Sequence, residues 1–353
     1  MKSRAAVMKA YNQPLSIEYI EVPEPRGEAV VVKIAGAGVC HSDLHLLRGE
    51  LPGLPTPLPI VLGHENSGVV YARGEKVPEE LREGTPVLVF GGWYEVEYEY
   101  TLTGDQQLSK TPVWPGIIKY NGGYSEYLYV PSYKFLVPAH NIEDLAAASV
   151  LTDAGLTPYR AVKKLKPHVS PDDYVVVVGL GGLGLFGAQY AKLILNARVI
   201  LVDVREEALQ LASRVVRLDP EDLLLNASKV SVLDEISKVT RGRGVRGVLD
   251  FVGSSKTLET YLKVLGGKGV YVVVGLHSPL GPQIPIHDLV TKEVSILGSL
   301  WGNIKELYEV VDLAKRGLVK YRELVVKVRL EEINNAFEKL ERGEVAGRQV
   351  VIP

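Results

Sequence analysis

Between the apolar run Tyr174-Val175-Val176-Val177-Val178 and the helix-like stretch Leu185-Phe186-Gly187-Ala188-Gln189-Tyr190-Ala191-Lys192 stands Gly179-Leu180-Gly181-Gly182-Leu183-Gly184. No other stretch restricts the fold as tightly. A strand must end, turn on glycine and restart as a helix, and the glycines fall in a G-x-G-x-x-G frame. Gly179 admits the tight turn, Gly181 lets the backbone approach a pyrophosphate, and Gly184 lets the helix pack close to the strand. The amides of the helix start, at Gly182 and Leu183, then point at the phosphates. The frame alone would equally suit a structural glycine turn. Here both flanking elements are present, and an acid, Asp203, closes the next apolar run 19 residues past Gly184. A carboxylate there holds both ribose hydroxyls of NAD and repels a 2′-phosphate. Arg205, two residues on, either opens the next helix or meets such a phosphate.

The pattern around the turn extends it into a domain. Strand-like runs at 174–179, 198–203, 247–252, 269–275 and 294–298 alternate with helix-like stretches, the signature of a parallel sheet with crossover helices. Phe251, Val252, Val274 and Gly275 stand at the C-terminal ends of these runs, where a cofactor crosses such a sheet. Residues 1–150 read differently. Short Val-rich stretches such as Ala29-Val30-Val31-Val32-Lys33-Ile34 are broken by Gly and Pro, the texture of a mostly-β domain. Helices are expected from Asp144 and from Thr152. After residue 300 the pattern predicts a helix at 304–316, a strand at 324–328, a helix at 331–341 and a strand at 348–352 that returns to the first domain. The expected organisation is α/β: a mostly-β domain at 1–153, rejoined by 301–353, and a doubly wound parallel-sheet domain at 154–300.

Composition excludes several classes of function. The 353 residues are 46% hydrophobic with a net charge of −2, which leaves no electrostatic case for nucleic acid or an anionic membrane. No apolar run approaches the roughly 20 residues a spanning helix needs, and the N-terminus runs straight into strand-like sequence without a signal-peptide pattern. Cys40 is the only cysteine, so no intrachain disulfide forms, and the expected location is the cytoplasm. Two Met and few Asn and Gln beside abundant Lys, Arg and Glu resemble a thermophile's composition.

That one cysteine sits in Gly38-Val39-Cys40-His41-Ser42-Asp43, and Gly63-His64-Glu65-Asn66-Ser67-Gly68 follows. A thiolate and an imidazole are ligand types that zinc prefers, and a catalytic zinc keeps three protein ligands and an open position. Asp153, in Leu151-Thr152-Asp153-Ala154-Gly155, is the best third ligand. Glu65 is either a fourth ligand or a partner of one. Taken singly, a lone cysteine reads as a small buried hydrophobe and a His-Glu pair as polar surface. Joined to a dinucleotide turn downstream they read as a site.

At these residues the chain resembles the zinc-dependent medium-chain alcohol dehydrogenases, over nearly its whole length. The zinc signature G-H-E-x-x-G-x5-[GA]-x2-[IVSAC] is matched by Gly63-His64-Glu65, Gly68, Gly74 and Val77, and the run at 38–43 is similarly specific. The resemblance implies a GroES-like catalytic domain, a Rossmann domain, and Cys40, His64 and Asp153 as catalytic zinc ligands, with Glu65 as an alternating ligand. It implies Asp43 as an acid that orients His64. It also implies Ser42 as the relay hydroxyl and His45 as the relay's outer member, with His41 a weaker candidate. Arg348 matches a residue that reaches the cofactor pyrophosphate, and Trp93, Trp114, Leu300 and Trp301 resemble pocket or cofactor-lining positions. The implied reaction is hydride transfer between an alcohol and NAD, in a homodimer or homotetramer paired through the strand at 294–298. A polyol or sugar dehydrogenase of the same superfamily and an inactive nucleotide-binding relative are the alternatives. Zinc-free quinone or enoyl reductases lack the Cys40 and His64-Glu65 set.

One departure stands out. Many relatives hold a structural zinc with four closely spaced cysteines. The corresponding stretch, Trp93 to Ser109, has none, and Glu95, Tyr98, Thr101 and Ser109 stand near the ligand positions. Hydroxyls are poor zinc ligands, so one catalytic zinc per chain and no structural zinc is expected. Packing of Tyr94, Tyr98 and Tyr100 would hold the lobe.

Overall fold

The computed structural model describes residues 1–51, 53–276 and 284–353. Its backbone contacts divide the chain into two units, Met1–Leu156 with Gly302–Pro353, and Thr157–Trp301.

The first unit is built on β1 (Lys2–Met8), β2 (Ser16–Glu21), β3 (Val30–Gly38), β4 (Ile60–Val61), β5 (Glu65–Arg73), β6 (Pro86–Val89), β7 (Tyr127–Val130) and β8 (Leu136–Pro138). A short helix, α1 (His41–Leu47), leaves the end of β3. β1 lies between β2 and β4 in a small antiparallel sheet. β3 is the spine of the larger sheet. Val30, Val31 and Val32 have no exposed surface, which is why this strand reads as an unbroken apolar run rather than an alternation. It pairs with β5 from Val30 to Gly38 and with β7 along its first half. Gly38 ends it against Glu65. A Cβ on Gly38 would lie 1.8 Å from Glu65 Oε2, so only glycine lets the two strands bring this carboxylate inward.

The second unit carries β9 (Tyr174–Val178), β10 (Arg198–Asp203), β11 (Leu223–Asn226), β12 (Val245–Asp250), β13 (Leu265–Val273) and β14 (Ser295–Gly298). They form one parallel sheet in the order β11-β10-β9-β12-β13-β14. Counted from β9 this is the doubly wound order 3-2-1-4-5-6. The chain reverses direction across the sheet beside β9, so the glycine turn that follows β9 lies at the switch point. Val176, Val178, Ile200, Val202 and Val248 fill one core beneath it. β11 was not expected from the sequence. Its four residues, Leu-rich and preceded by two acids, carry no period of their own, and only pairing with β10 makes them a strand. The helix expected from Asp144 is instead a tight 3-10 run, Ala147–Thr152, although Asp144 Oδ1 does cap it from the Ala147 N–H at 3.0 Å. Every residue of that run is buried.

The chain then returns to the first unit. β15 (Val325–Arg329) and β16 (Arg348–Ile352) pair in parallel, and β16 joins the end of β3.

In the second unit one carboxylate holds the strand ends. Asp250 has no exposed surface. It accepts from the Val252 and Gly253 N–H groups at 2.9 and 3.0 Å, from the Thr257 hydroxyl at 2.8 Å and from the Tyr271 hydroxyl at 2.9 Å. Asp250→Ala strands all four donors and is expected to cost about 2–4 kcal/mol, whereas Tyr271→Phe, which removes one donor, costs about 1 kcal/mol. Denaturant midpoints of the two variants check this; equal losses would show that the network acts through Tyr271 alone.

A candidate metal centre and a dinucleotide-binding turn

Three elements of the first unit meet at one point. Cys40 caps the start of α1, His64 and Glu65 open β5, and Asp153 follows the 3-10 run at a φ of −137° outside the helix. The donor atoms of Cys40, His64, Glu65 and Asp153 all lie within 4.8 Å of one another, and all four residues are buried. His64 Nε2 is 3.4 Å from Asp153 Oδ2, and Cys40 Sγ is 3.7 Å from the same oxygen. Donors held tetrahedrally around zinc stand about 3.3–3.8 Å apart, given metal–ligand distances of about 2.0–2.3 Å. The spacing and the donor types therefore suit zinc.

Asp43 fixes the geometry from beneath. Its Oδ1 lies 3.1 Å from His64 Nδ1 and accepts from the Gly63 N–H at 3.4 Å. Its Oδ2 accepts from the Cys40 N–H at 3.1 Å and from the Tyr124 hydroxyl at 2.7 Å. One carboxylate thus ties together the backbone of the thiol donor and the ring of the imidazole donor. An acid on Nδ1 leaves Nε2 directed at the cluster. Tyr124 is a residue that sequence reasoning missed. It stands 81 positions from Asp43, and nothing local marks it.

The electrostatics point the same way. Burial opposes a charge on His64, yet the Asp43 charge and the hydrogen bonds to Asp153 and Asp43 hold its pKa well above the ordinary value. Burial pushes Glu65 up to about 7 against the pull of Arg348. Burial, then the Asp43 charge, raises the Tyr124 hydroxyl far above its usual range. These shifts share one origin. Acidic donors outnumber cations in a buried place, so protons are retained that a divalent cation would displace.

Arg348 grips Glu65 with two nitrogens, Nε at 3.2 Å from Oε2 and Nη2 on Oε1, and Nη2 lies 3.5 Å from Asp153 Oδ2. The guanidinium expected at a pyrophosphate is, in the first unit itself, the counter-charge of the donor set. Ser42 Oγ is 3.6 Å from Cys40 Sγ, and His45 Nδ1 is 2.6 Å from Glu50 Oε2. Trp93 corrects an expectation. It has no exposed surface, its indole N–H donates to the Phe90 carbonyl, and its ring stacks on Phe135 at 5.7 Å. It packs in the core of the lobe. Trp114 is half-buried, while in the second unit Trp301 is buried at a φ of 44° and Leu300 is exposed.

In the second unit the glycine turn closes as its spacing demands. Gly179 sits at a φ of 83°, and a Cβ on Gly184 would lie 1.7 Å from the Gly179 carbonyl. A Cβ on Gly181 would meet nothing within 4 Å, which leaves its backbone open to an approaching ligand. The helix α2 (Gly182–Tyr190) starts there. Asp203 Oδ2 accepts from the Leu180 N–H at 2.7 Å and Oδ1 from the Arg205 N–H at 2.9 Å, with Arg205 Nε at 3.3 Å. Phe251 packs its ring beneath the turn, where a Cβ on Gly187 would meet it at 2.4 Å. Val252 presses on Gly179, and the Val274 and Gly275 N–H groups donate to the Asp250 carbonyl.

Comparison with known proteins adds to this geometry. Residues 26–141 match the family model of the alcohol dehydrogenase GroES-like domain, and residues 182–316 that of zinc-binding dehydrogenases. The chain is 39% identical to an NAD-dependent alcohol dehydrogenase of Sulfurisphaera tokodaii, over 99% of this chain and all of the relative. It is 34% identical to a D-arabinose 1-dehydrogenase (NADP(+)) of Saccharolobus solfataricus, over all of this chain and 98% of that one. The solved alcohol dehydrogenase of the hyperthermophilic archaeon Aeropyrum pernix superposes with a TM-score of 0.90 at 38% identity, over 99% of this chain and all of that one.

The Asp43 network yields a prediction. Asp43→Ala frees the His64 ring and the Cys40 backbone together, and zinc affinity is expected to fall about 10–100-fold, the scale of a lost partner of a metal ligand. Chelator competition measures it; unchanged affinity would show that the ligands hold their places without Asp43.

Proposed function

The chain belongs to the zinc-dependent medium-chain alcohol dehydrogenases and is an oxidoreductase, and from this premise we propose that it moves a hydride between NAD and a small alcohol, or the corresponding aldehyde or ketone, with one zinc held by Cys40, His64 and Asp153. The observation that carries the reading is the buried set of thiol, imidazole and carboxylate donors within 4.8 Å. Zinc bound there supplies a Lewis acid that favours the ionised form of an alcohol at neutral pH, and the nicotinamide supplies the hydride acceptor.

The chain's own side chains do the rest. Asp43 keeps the proton of His64 on Nδ1. Glu65, balanced by Arg348, is the carboxylate able to alternate as a ligand. Ser42 and His45 stand at i and i+3 on α1, neighbours on one helix face. Ser42 takes the proton that the substrate loses, and His45 carries it out to water. Gly181, Gly182, Leu183 and the start of α2 receive the pyrophosphate, and Asp203 receives the ribose hydroxyls. Asp203 holds Arg205 by its backbone and side chain, which supports NAD over NADP. Trp114 of the first unit is assigned to the substrate's surroundings, and Leu300 and Trp301 of the second to the nicotinamide's and the substrate's, which supports cyclic or aromatic alcohols as substrates.

No second zinc is proposed. Glu95 is paired with Lys119, the Thr101 hydroxyl donates to the Tyr98 carbonyl and accepts from its N–H at 2.8 Å each, and Ser109 accepts from the Thr111 N–H at 3.1 Å. Tyr94 and Trp93 pack on Phe135. These contacts support a lobe held by protein alone. We further propose a homodimer or homotetramer. Among the described residues β14 is the outer strand of its sheet, and Ile286 and Val290, on the helix before it, are 67% and 70% exposed, an edge and a face of the kind that second copies cover. Among the described residues no helix is long and apolar enough to cross a membrane. The cytoplasm is the proposed location, which cell fractionation tests.

One sample tests most of this. Protein purified without chelators is expected to contain one zinc per chain, to reduce NAD with alcohols, and to exceed the 38.6 kDa of a single chain in light scattering. Two zinc per chain would overturn the metal-free lobe, and no zinc would overturn the metal site. Stronger turnover with pentoses than with alcohols would move the protein to the sugar dehydrogenases, a reading that the arabinose dehydrogenase relative supports. A second test concerns the cofactor. Asp203→Gly is expected to raise the KM for NAD about 10–100-fold, the loss of hydrogen bonds to a charged group, and to narrow the preference over NADP; an unchanged ratio would show that the preference is set elsewhere.

A further inference from the structure

The end of α1 folds back on His45. Arg48 ends the helix, and Gly49 follows at a φ of 69°. The Gly49 N–H donates to the Leu46 carbonyl at 3.0 Å, and the Glu50 N–H donates to the His45 carbonyl at 2.9 Å. This paired closure is a Schellman turn, which needs a left-handed residue at the position Gly49 holds. It ties the backbone of Glu50 to the backbone of His45. The side chain completes the return, with Glu50 Oε2 2.6 Å from His45 Nδ1. Arg48 Nη1 lies 3.8 Å from the other carboxylate oxygen, and Arg48 pairs in turn with Glu341 at the end of the helix Ile333–Glu341. The hydrogen bond from His45 holds the Glu50 carboxyl below its ordinary range. An ionised carboxylate only accepts, so the proton between the two groups belongs to Nδ1.

We propose that Glu50 is a positioning residue for the proton exit, holding His45 in the Nδ1–H tautomer so that Nε2 is the basic atom facing the relay. The inference rests on the proposed role of His45. A neutral imidazole divides between two tautomers, and the one with hydrogen on Nε2 accepts nothing there. With Glu50 in place, Nε2 takes one proton while Nδ1 keeps its own. The resulting imidazolium is stabilised by the carboxylate. Loss of the Nε2 proton to water restores the starting tautomer, and no other atom changes its proton count.

The test uses the zinc-loaded full-length enzyme and the rate of NADH formation in a single turnover, so that product release does not mask the step. Glu50→Ala is expected to lower that rate about three- to tenfold, the scale of a partly exposed hydrogen bond to a charged group, with the KM for alcohol within about twofold. Glu50→Gln, whose carbonyl oxygen still accepts from Nδ1, restores most of the rate. His45→Gln is also slow, and Glu50→Ala added to it costs nothing further. A slow His45→Gln beside a wild-type Glu50→Ala overturns the proposal and leaves the relay standing. A full loss from Glu50→Ala in the His45→Gln background also overturns it, because Glu50 would then act on the turn rather than on the ring. A wild-type rate in His45→Gln removes the relay reading itself, and the proposal with it.

Discussion

The carboxylate of Asp43 is the constraint on which the first unit's site depends. A buried charge survives only when its lone pairs are filled, and Asp43 fills its own from four directions: Cys40, Gly63, His64 and Tyr124. The partners come from three stretches of chain, the start of α1, the Gly63-His64 pair before β5 and Tyr124. The acid therefore converts a set of separate loops into one rigid arrangement. A ligand set needs that rigidity, because donor atoms that must wait to be gathered lose affinity to their own disorder.

A second carboxylate explains why the chain has to come back. Glu65 enters the interior through the space that Gly38 leaves, and the lysine of β3, Lys33, is exposed and stands opposite Val69, away from it. The counter-charge is Arg348, on β16, 283 residues later. β16 joins the end of β3 at Ala37 and Gly38, the point at which Glu65 is brought in. Breaking such a pair leaves a buried charge without compensation. The return of the last strand is thus an electrostatic requirement as well as a matter of sheet order.

These two acids also mark the line between what a reader of the sequence sees and what it conceals. Motifs of short range were legible. The glycine turn needs its residues at fixed offsets, so Gly179, Gly181 and Gly184 announce both the turn and the parallel sheet around it. The thiol and the His-Glu pair are legible for the same reason, since ligand types cluster by chemistry. What escaped is whatever depends on distant partners. Tyr124 looks like any strand tyrosine until it reaches Asp43. The strand Leu223–Asn226 exists only through its neighbour. Trp93 resembles a pocket residue because a large aromatic near a lobe suits either role, and only its bond to the Phe90 carbonyl shows that its polar edge is spent inside the core. Arg348, expected from the sequence as a cofactor arginine, also pairs with Glu65, a contact that no local signal announces.

The seven residues of α1 show how little chain a reaction of this kind demands. A helix distributes its positions over faces and ends, and Ser42, Asp43 and His45 each take a place fixed by that geometry. The residue before the first turn has an extended backbone, and Cys40 there sets its sulfur 3.6 Å from Ser42 Oγ and 3.7 Å from Asp153 Oδ2 while its N–H bonds to Asp43. Position three of the helix points back at its own start, and this is where the acid that fixes Cys40 and His64 stands. Ser42 and His45, three apart, share a face. The last turn must dispose of unpaired carbonyls, and the Schellman closure that does so also delivers Glu50 to the imidazole. The thiol, the acid, the Ser42–His45 pair and the carboxylate against His45 thus follow from the start, the third position, one face and the end of a single short helix. Moving any one of them by one residue would turn it about 100° around the axis, so the run from Cys40 to Glu50 tolerates substitution far better than insertion.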